Sequence, residues 1–186
     1  MVYILLGTGF EEIEALTPCD LLRRAGIEVA LAGVNGMEIV GSHGISVRAD
    51  LPLDAVQIES ADMVILPGGL KGVQSILDCA AALELIQRAW AAEKYVCAIC
   101  AAPTILARLG IVADAPAVCY PGMEAEMADA RIQDANVVRC GKLITARAAG
   151  AAMDFALSLI SALKGPETAE RVAGQIVYLG GKKLAE

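Results

Sequence analysis

The sequence predicts an α/β protein: a doubly wound, mostly parallel central sheet covered by helices on both faces. Three observations predict it. Short aliphatic runs alternate with helix-period segments, the runs end on Gly or Pro, and aromatics make up only 4% of a chain that is 56% hydrophobic. Parallel strands buried on both faces read as near-continuous Val, Ile and Leu, because neither side of them meets water. The 18 glycines suit helices packed closely on such a sheet. At 186 residues the chain is read as a single domain over 1–186, with a loose tail over 180–186.

The elements follow in order. Val2 to Leu6 is a first strand, bounded by Gly7-Thr8-Gly9. Glu11 to Ala25 is a helix with Arg23 and Arg24 near its negative end and Gly26 as its stop. Glu28 to Ala32 is a second strand, and the Gly-rich stretch from Gly33 to Leu53 suits a small hairpin excursion. Asp62 to Pro67 is a strand running into Gly68-Gly69. Val73 to Lys94 is helical, with Leu77, Leu83, Ile86 and Trp90 as core contacts. Tyr95 to Cys100 has no polar interruption and reads as a central strand, and Ala102 to Leu109 returns as a helix stopped by Gly110. Ala117 to Tyr120 and Leu143 to Ala146 are two more strands, and two helices close the chain over Gly150 to Leu163 and Pro166 to Leu179.

Composition excludes several classes. The net charge of -7 comes with no basic block, which argues against a nucleic-acid surface, since phosphate binding needs clustered Lys and Arg. The first residues lack the basic flank and apolar length of a signal peptide, and no run approaches the ~20 apolar residues of a membrane span. A cytoplasmic protein with no membrane partner is expected. The six cysteines are scattered through a medium-sized apolar chain and are read as reduced thiols.

One of them stands apart. Cys100 falls where a strand turns abruptly into a helix, followed by Ala101-Ala102-Pro103, and Pro suits a first helical turn. A thiol there feels the positive end of the helix dipole, which favours thiolate. The N–H groups after the elbow can hold an oxyanion, and Gly68-Gly69 on a neighbouring loop can supply a second donor. Glu14 lies among Ile13, Ala15 and Leu16 on a buried stripe, where a carboxyl gains a raised pKa and can stay protonated. A protonated carboxyl donates to a thiolate and holds it as the anion. Glu11 and Glu12 are read as complements to the helix N-terminus.

Gly9-Phe-Glu-Glu-Ile-Glu14, Pro18-Cys-Asp-Leu-Leu-Arg-Arg-Ala-Gly26, Leu66-Pro-Gly-Gly69, Ala98-Ile-Cys-Ala-Ala-Pro-Thr104 and Thr145-Ala-Arg147 together resemble the ThiJ/PfpI family, from the first strand to the helix near Leu163. The resemblance implies a flavodoxin-like sandwich, of the kind found in class I glutamine amidotransferases, and a homodimer. It implies Cys100 as the reactive cysteine, Glu14 as its carboxyl partner, and Gly69 and Ala101 as backbone oxyanion donors. Two departures matter. Many members carry a His where this chain has Tyr120, in Cys119-Tyr-Pro-Gly122, and the only histidine, His43, lies elsewhere. A Cys-His triad is therefore not supported. After Arg147 the chain reads Ala-Ala-Gly150 rather than Gly-Pro-Gly.

The expected function is that of a cofactor-independent glyoxalase or deglycase. Cys100 would attack methylglyoxal, glyoxal or their adducts with protein or nucleotide, with Tyr120 and Gly68 near the substrate. No metal is expected, since zinc favours paired Cys/His spacings. The alternative is a redox sensor or redox-regulated chaperone that uses oxidation of Cys100. Cys97 and Cys100 form C-x-x-C, yet strand alternation puts them on opposite faces. Gly7-Thr-Gly9 opens like a dinucleotide fingerprint, which fails at Glu12.

Overall fold

The computed structural model describes residues 1–127, 129–178 and 180. The tail expected to be loose lies, from residue 181 on, outside the described residues. The chain runs β1 (Val2–Leu6), α1 (Glu12–Arg24), β2 (Val29–Gly33), β3 (Glu38–Val40), β4 (Ser46–Arg48), β5 (Leu51–Pro52) and β6 (Met63–Leu66). It continues through α2 (Leu70–Leu77), α3 (Ala80–Ala91), β7 (Tyr95–Ile99), α4 (Pro103–Arg108), β8 (Pro116–Ala117) and β9 (Arg131–Ile132). It ends with β10 (Val137–Cys140), β11 (Leu143–Ala146), α5 (Ala152–Lys164) and α6 (Pro166–Gln175).

Seven strands form the main sheet in the order β10-β11-β7-β6-β1-β2-β5. Every neighbouring pair is parallel except β10 with β11. The mostly parallel α/β architecture is therefore as the sequence predicts. Strand alternation sorts the core into two halves. Val2, Ile4, Leu6, Ile65, Cys97 and Ile99 face a layer built on α1, α5 and α6. Tyr3, Leu5, Val64, Leu66, Val96 and Ala98 face α2, α3 and α4. The central strands are buried on both sides, which is why they carry no polar residue.

The structure corrects four details. The long helix expected from Val73 to Lys94 is two helices, broken at Asp78-Cys79, and Trp90 is 36% exposed because Ala82, Leu85, Ile86 and Ala89 take the buried face. The expected strand over Ala117 to Tyr120 shrinks to Pro116–Ala117 and pairs with β9 outside the main sheet. Its remaining donors go to the site instead: the Val118 N–H donates to Thr145 Oγ1 at 3.0 Å and the Tyr120 N–H to the Cys100 carbonyl at 2.8 Å. The edge strand β10 was not anticipated; it turns back through Gly141, at φ 58°. The Gly-rich excursion is the antiparallel hairpin β3–β4, as expected, with β5 returning to the sheet edge beside β2.

Candidate functional site

Three loops at the carboxyl ends of β1, β6 and β7 meet, which is where doubly wound sheets place their sites. They are stapled by the backbone. The Glu11 N–H donates to the Gly68 carbonyl at 3.0 Å, and the Gly72 N–H to the Gly9 carbonyl at 3.1 Å. The hairpin closes over the same place, with the Gly9 N–H donating to the Val40 carbonyl and the Ser42 N–H to the Phe10 carbonyl, each at 2.8 Å.

Cys100 is the residue at which β7 stops and the turn into α4 begins. Its φ is 65°, a left-handed conformation that costs a non-glycine residue about 1–3 kcal/mol. The strain is held by bonds on both sides: the Cys100 N–H donates to the Ala146 carbonyl at 2.9 Å, and the Cys100 carbonyl accepts from Tyr120. Cys100 is half-buried between the two halves of the core, whereas Cys97 is wholly buried in the half built on α1, α5 and α6, where burial pushes its thiol up. The backbone N–H groups of Ala101 and Gly69 both work to lower the Cys100 pKa. Gly69 adopts φ 84°, and a Cβ there would lie 2.5 Å from the Gly9 carbonyl oxygen.

Glu14 is fully buried on the inner face of α1. Its Oε2 accepts the Gly68 N–H at 2.8 Å, while its Oε1 has no hydrogen-bond partner among the described residues. Gly68 separates the carboxyl from the thiol: a Cβ on it would lie 2.6 Å from Glu14 Oε2 and 2.7 Å from Cys100 Cβ. One turn further along α1, Pro18 lacks the N–H that would have bonded the Glu14 carbonyl, which loosens the helix there.

The electrostatics of the pair are coupled. Burial lifts the Glu14 pKa from 4.5 to about 7, against the lowering effects of the neighbouring Cys100 thiol and of the Gly68 N–H. Burial first, then the Glu14 carboxylate, push the Cys100 thiol up from 9.0 to about 12, against the lowering effect of the Ala101 and Gly69 N–H groups. While Glu14 is ionised, the thiol is thus held opposite to what the elbow alone would favour. The reason is physical: two negative charges cannot share this dry space, so thiol and carboxyl hold one proton between them over a wide pH range.

A pocket of about 390 Å³ opens in front of Cys100. Leu70, Tyr120, Pro121 and Met123 form its walls, Gly69 and Ala101 its floor, and Glu11 one edge. Gly68 lies behind, against the carboxyl. A larger cavity of about 900 Å³ lies beside Trp90, Tyr95 and Lys142, at the amino ends of the parallel strands and so at the wrong end of the sheet for this chemistry.

Glu11 and Glu12 stand at the N-terminus of α1, as expected, and the structure adds that Glu12 is buried and that Glu11 lines the pocket. The Glu12 carboxylate accepts the His43 backbone N–H at 2.8 Å and pairs with His43 Nδ1 at 2.9 Å, with Ser42 Oγ at 3.1 Å. Burial works to raise its pKa, but these bonds outweigh it and bring it from 4.5 to about 2. His43 is pushed up in return, by its bond to Glu12 and then by the charges of Glu11 and Glu12. Ligating atoms of Glu11, Glu12 and His43 lie within 4.8 Å of one another, so these are the described residues that could hold a cation. Asp20 and Arg24 on α1 pair with each other at 2.8 Å. No helix among the described residues is long and apolar enough to cross a membrane.

The chain is similar to known proteins over most of its length. The DJ-1/PfpI family model matches residues 1–162. Protein dj-1beta of Drosophila melanogaster is 36% identical over 173 residues, covering 91% of this chain and 92% of that protein. The glutathione-independent glyoxalase DJR-1.2 of Caenorhabditis elegans is 33% identical over 159 residues, covering 84% of each. The solved structure of oxidized Toxoplasma gondii DJ-1 superposes with a TM-score of 0.91 at 35% identity, over 96% of this chain and 98% of that one.

Proposed function

The chain belongs to the DJ-1/PfpI family, and from that premise we propose that it is a cofactor-independent glyoxalase or deglycase acting through Cys100 and Glu14. One observation carries the reading: a fully buried carboxyl, with one oxygen unpartnered, set across a glycine from a half-buried thiol on a strained elbow. The similarity to a relative named as a glyoxalase supports the same reaction class.

In the reaction the thiol proton passes to Glu14 and the sulfur attacks the aldehyde carbon of a 2-oxoaldehyde. The new C–S bond gives a hemithioacetal whose oxyanion is held by the Gly69 and Ala101 N–H groups. Glu14 protonates that oxygen, removes the former aldehyde hydrogen as a proton and returns it to the neighbouring carbonyl carbon, while the hydroxyl proton passes from the former aldehyde oxygen to the former ketone oxygen. A thioester of a 2-hydroxy acid results. Water cleaves it, releasing the acid and restoring the thiol. Methylglyoxal plus water thus gives lactate with no net oxidation, so no redox cofactor is required. Tyr120 orients the substrate from the pocket wall rather than replacing a histidine base, because a phenol is a far weaker proton acceptor than an imidazole. Lactate formation from methylglyoxal tests the reading, and an unchanged rate in Cys100→Ala would sink it.

A second reading has its own support. The same two N–H groups that lower the Cys100 pKa would stabilise a sulfenate or sulfinate, as a redox sensor or redox-regulated chaperone requires. Mass spectrometry after mild peroxide separates the two: selective oxidation of Cys100 without aldehyde turnover favours the sensor. A homodimer in the cytoplasm belongs to the same proposal. The half-exposed apolar side chains of Ile13 on α1 and of Val40 and Ile45 on the hairpin support it, and sedimentation measures it.

A further inference from the structure

We infer that the Cys100 pocket selects neutral carbonyl compounds bearing an apolar substituent, such as an aryl glyoxal, and rejects anionic ones such as a 2-oxo acid. The inference rests on the proposed thiol chemistry and narrows its substrate class. Two independent features carry it.

The first is size and lining. At about 390 Å³ the pocket falls in the range of those that bury a drug-sized ligand, and a three-carbon oxoaldehyde leaves most of it empty. The unfilled part is walled by Leu70, Pro121, Met123 and the ring of Tyr120. Leu70 is 72% exposed although it opens a helix beside the nucleophile, so an apolar substituent would cover surface that now meets water.

The second is charge. Among the described residues, the one ionisable side chain besides Cys100 and Tyr120 on the pocket wall is Glu11, and Glu14 stands behind Gly68. Glu124 reaches back to the rim loop, its Oε2 accepting the Gly122 N–H at 2.9 Å. No Lys or Arg is among the described residues that line the pocket. Of the cations near the rim, His43 pairs with Glu12 at 2.9 Å and Arg147 with Asp134 at 2.6 Å, while the exposed Lys71 follows Leu70 on α2 without lining the pocket. An anionic substrate would approach the thiol past these carboxylates with no cation among the described lining residues to receive it.

The test has an arm that needs no turnover. Alkylation of Cys100 in the full chain is followed by mass spectrometry with iodoacetamide, N-phenyl iodoacetamide and iodoacetate, each rate divided by that of a small free thiol. The expected result is a deficit of about tenfold or more for iodoacetate and a gain of several-fold for the phenyl reagent. Glu11→Gln narrows the first and Leu70→Ser the second. In the turnover arm, kcat/KM for phenylglyoxal exceeds that for methylglyoxal, and Leu70→Ser lowers that ratio. Normalised rates that are equal for all three reagents overturn the inference. No turnover of any oxoaldehyde, with the alkylation bias intact, leaves the selectivity standing and overturns the proposed reaction instead.

Discussion

At the scale of single residues, Glu14 shows what the site costs the fold. Its pKa in the folded chain is about 7, against 4.5 when solvated. Because the folded pKa is the higher one, the native state binds the extra proton. The carboxyl's contribution to stability is therefore fully present below pH 4.5 and is lost as the pH rises through 7. The shift corresponds to about 3 kcal/mol. Glu14→Gln has no such titration, so it should be more stable than the parent at pH 8 by up to about 3 kcal/mol, the difference vanishing below pH 4.5. Chemical denaturation at the two pH values measures this, and equal stabilities at pH 8 would count against a buried, strained carboxyl. The same variant should lose about 100-fold or more in kcat/KM, the usual worth of a general acid–base. Gly68→Ala makes the complementary point. Its Cβ would meet Glu14 Oε2 at 2.6 Å and Cys100 Cβ at 2.7 Å, so methylglyoxal turnover should fall by at least tenfold, with a lowered Tm. A variant with unchanged kinetics would show that the carboxyl and thiol need not be so close.

Among the elements, the hairpin β3–β4 is the part whose position depends on charge. It is tied to the start of α1 by Glu12 and His43. The Glu12 pKa is depressed to about 2, so its contribution is present above 4.5 and is lost as the pH falls toward 2. The His43 pKa is raised above 6.5, so its contribution is present below 6.5 and is lost as the pH rises through the folded value. Both act together between about pH 4.5 and 6.5. Amide-exchange protection of Gly9 and Ile45, corrected for intrinsic rates, should be greatest in that window and should lose its upper limb in His43→Ala. A flat profile in the parent would mean that the pair does not hold the hairpin. This element also shows where sequence reading stops. The unbroken strands β1, β6 and β7 were legible because buried parallel strands tolerate no polar residue. The elbow at Cys100 was legible because Ala-Ala-Pro fits little else. The pairing of Glu12 with His43 was not, since 31 residues separate them and only the hairpin brings them together. Likewise Asp78-Cys79 carries no helix breaker, so the division of α2 from α3 is a tertiary choice. Glu11 had a local signal, three carboxylates within four positions with no neighbouring cation, but that pattern also suits a plain helix start.

For the whole molecule, the net charge of -7 and the acidic surroundings of the pocket act in the same direction. The long-range part of that field is screened by salt, with a Debye length of about 10 Å at 0.1 M, while the part from Glu14, buried behind Gly68, is screened little. The two parts can therefore be separated by ionic strength. An anionic electrophile is repelled by both, a neutral one by neither. Raising the salt from low to about 0.5 M should speed alkylation of Cys100 by iodoacetate a few-fold and leave the rate with iodoacetamide flat. The iodoacetate deficit should shrink without disappearing, because the contribution of the buried carboxylate survives. Glu11→Gln should show a smaller salt effect than the parent, since it removes the charge on the pocket wall that solvent ions reach most easily. A salt-independent iodoacetate rate would mean that the overall charge does not reach the thiol, and discrimination would then rest on the wall residues alone.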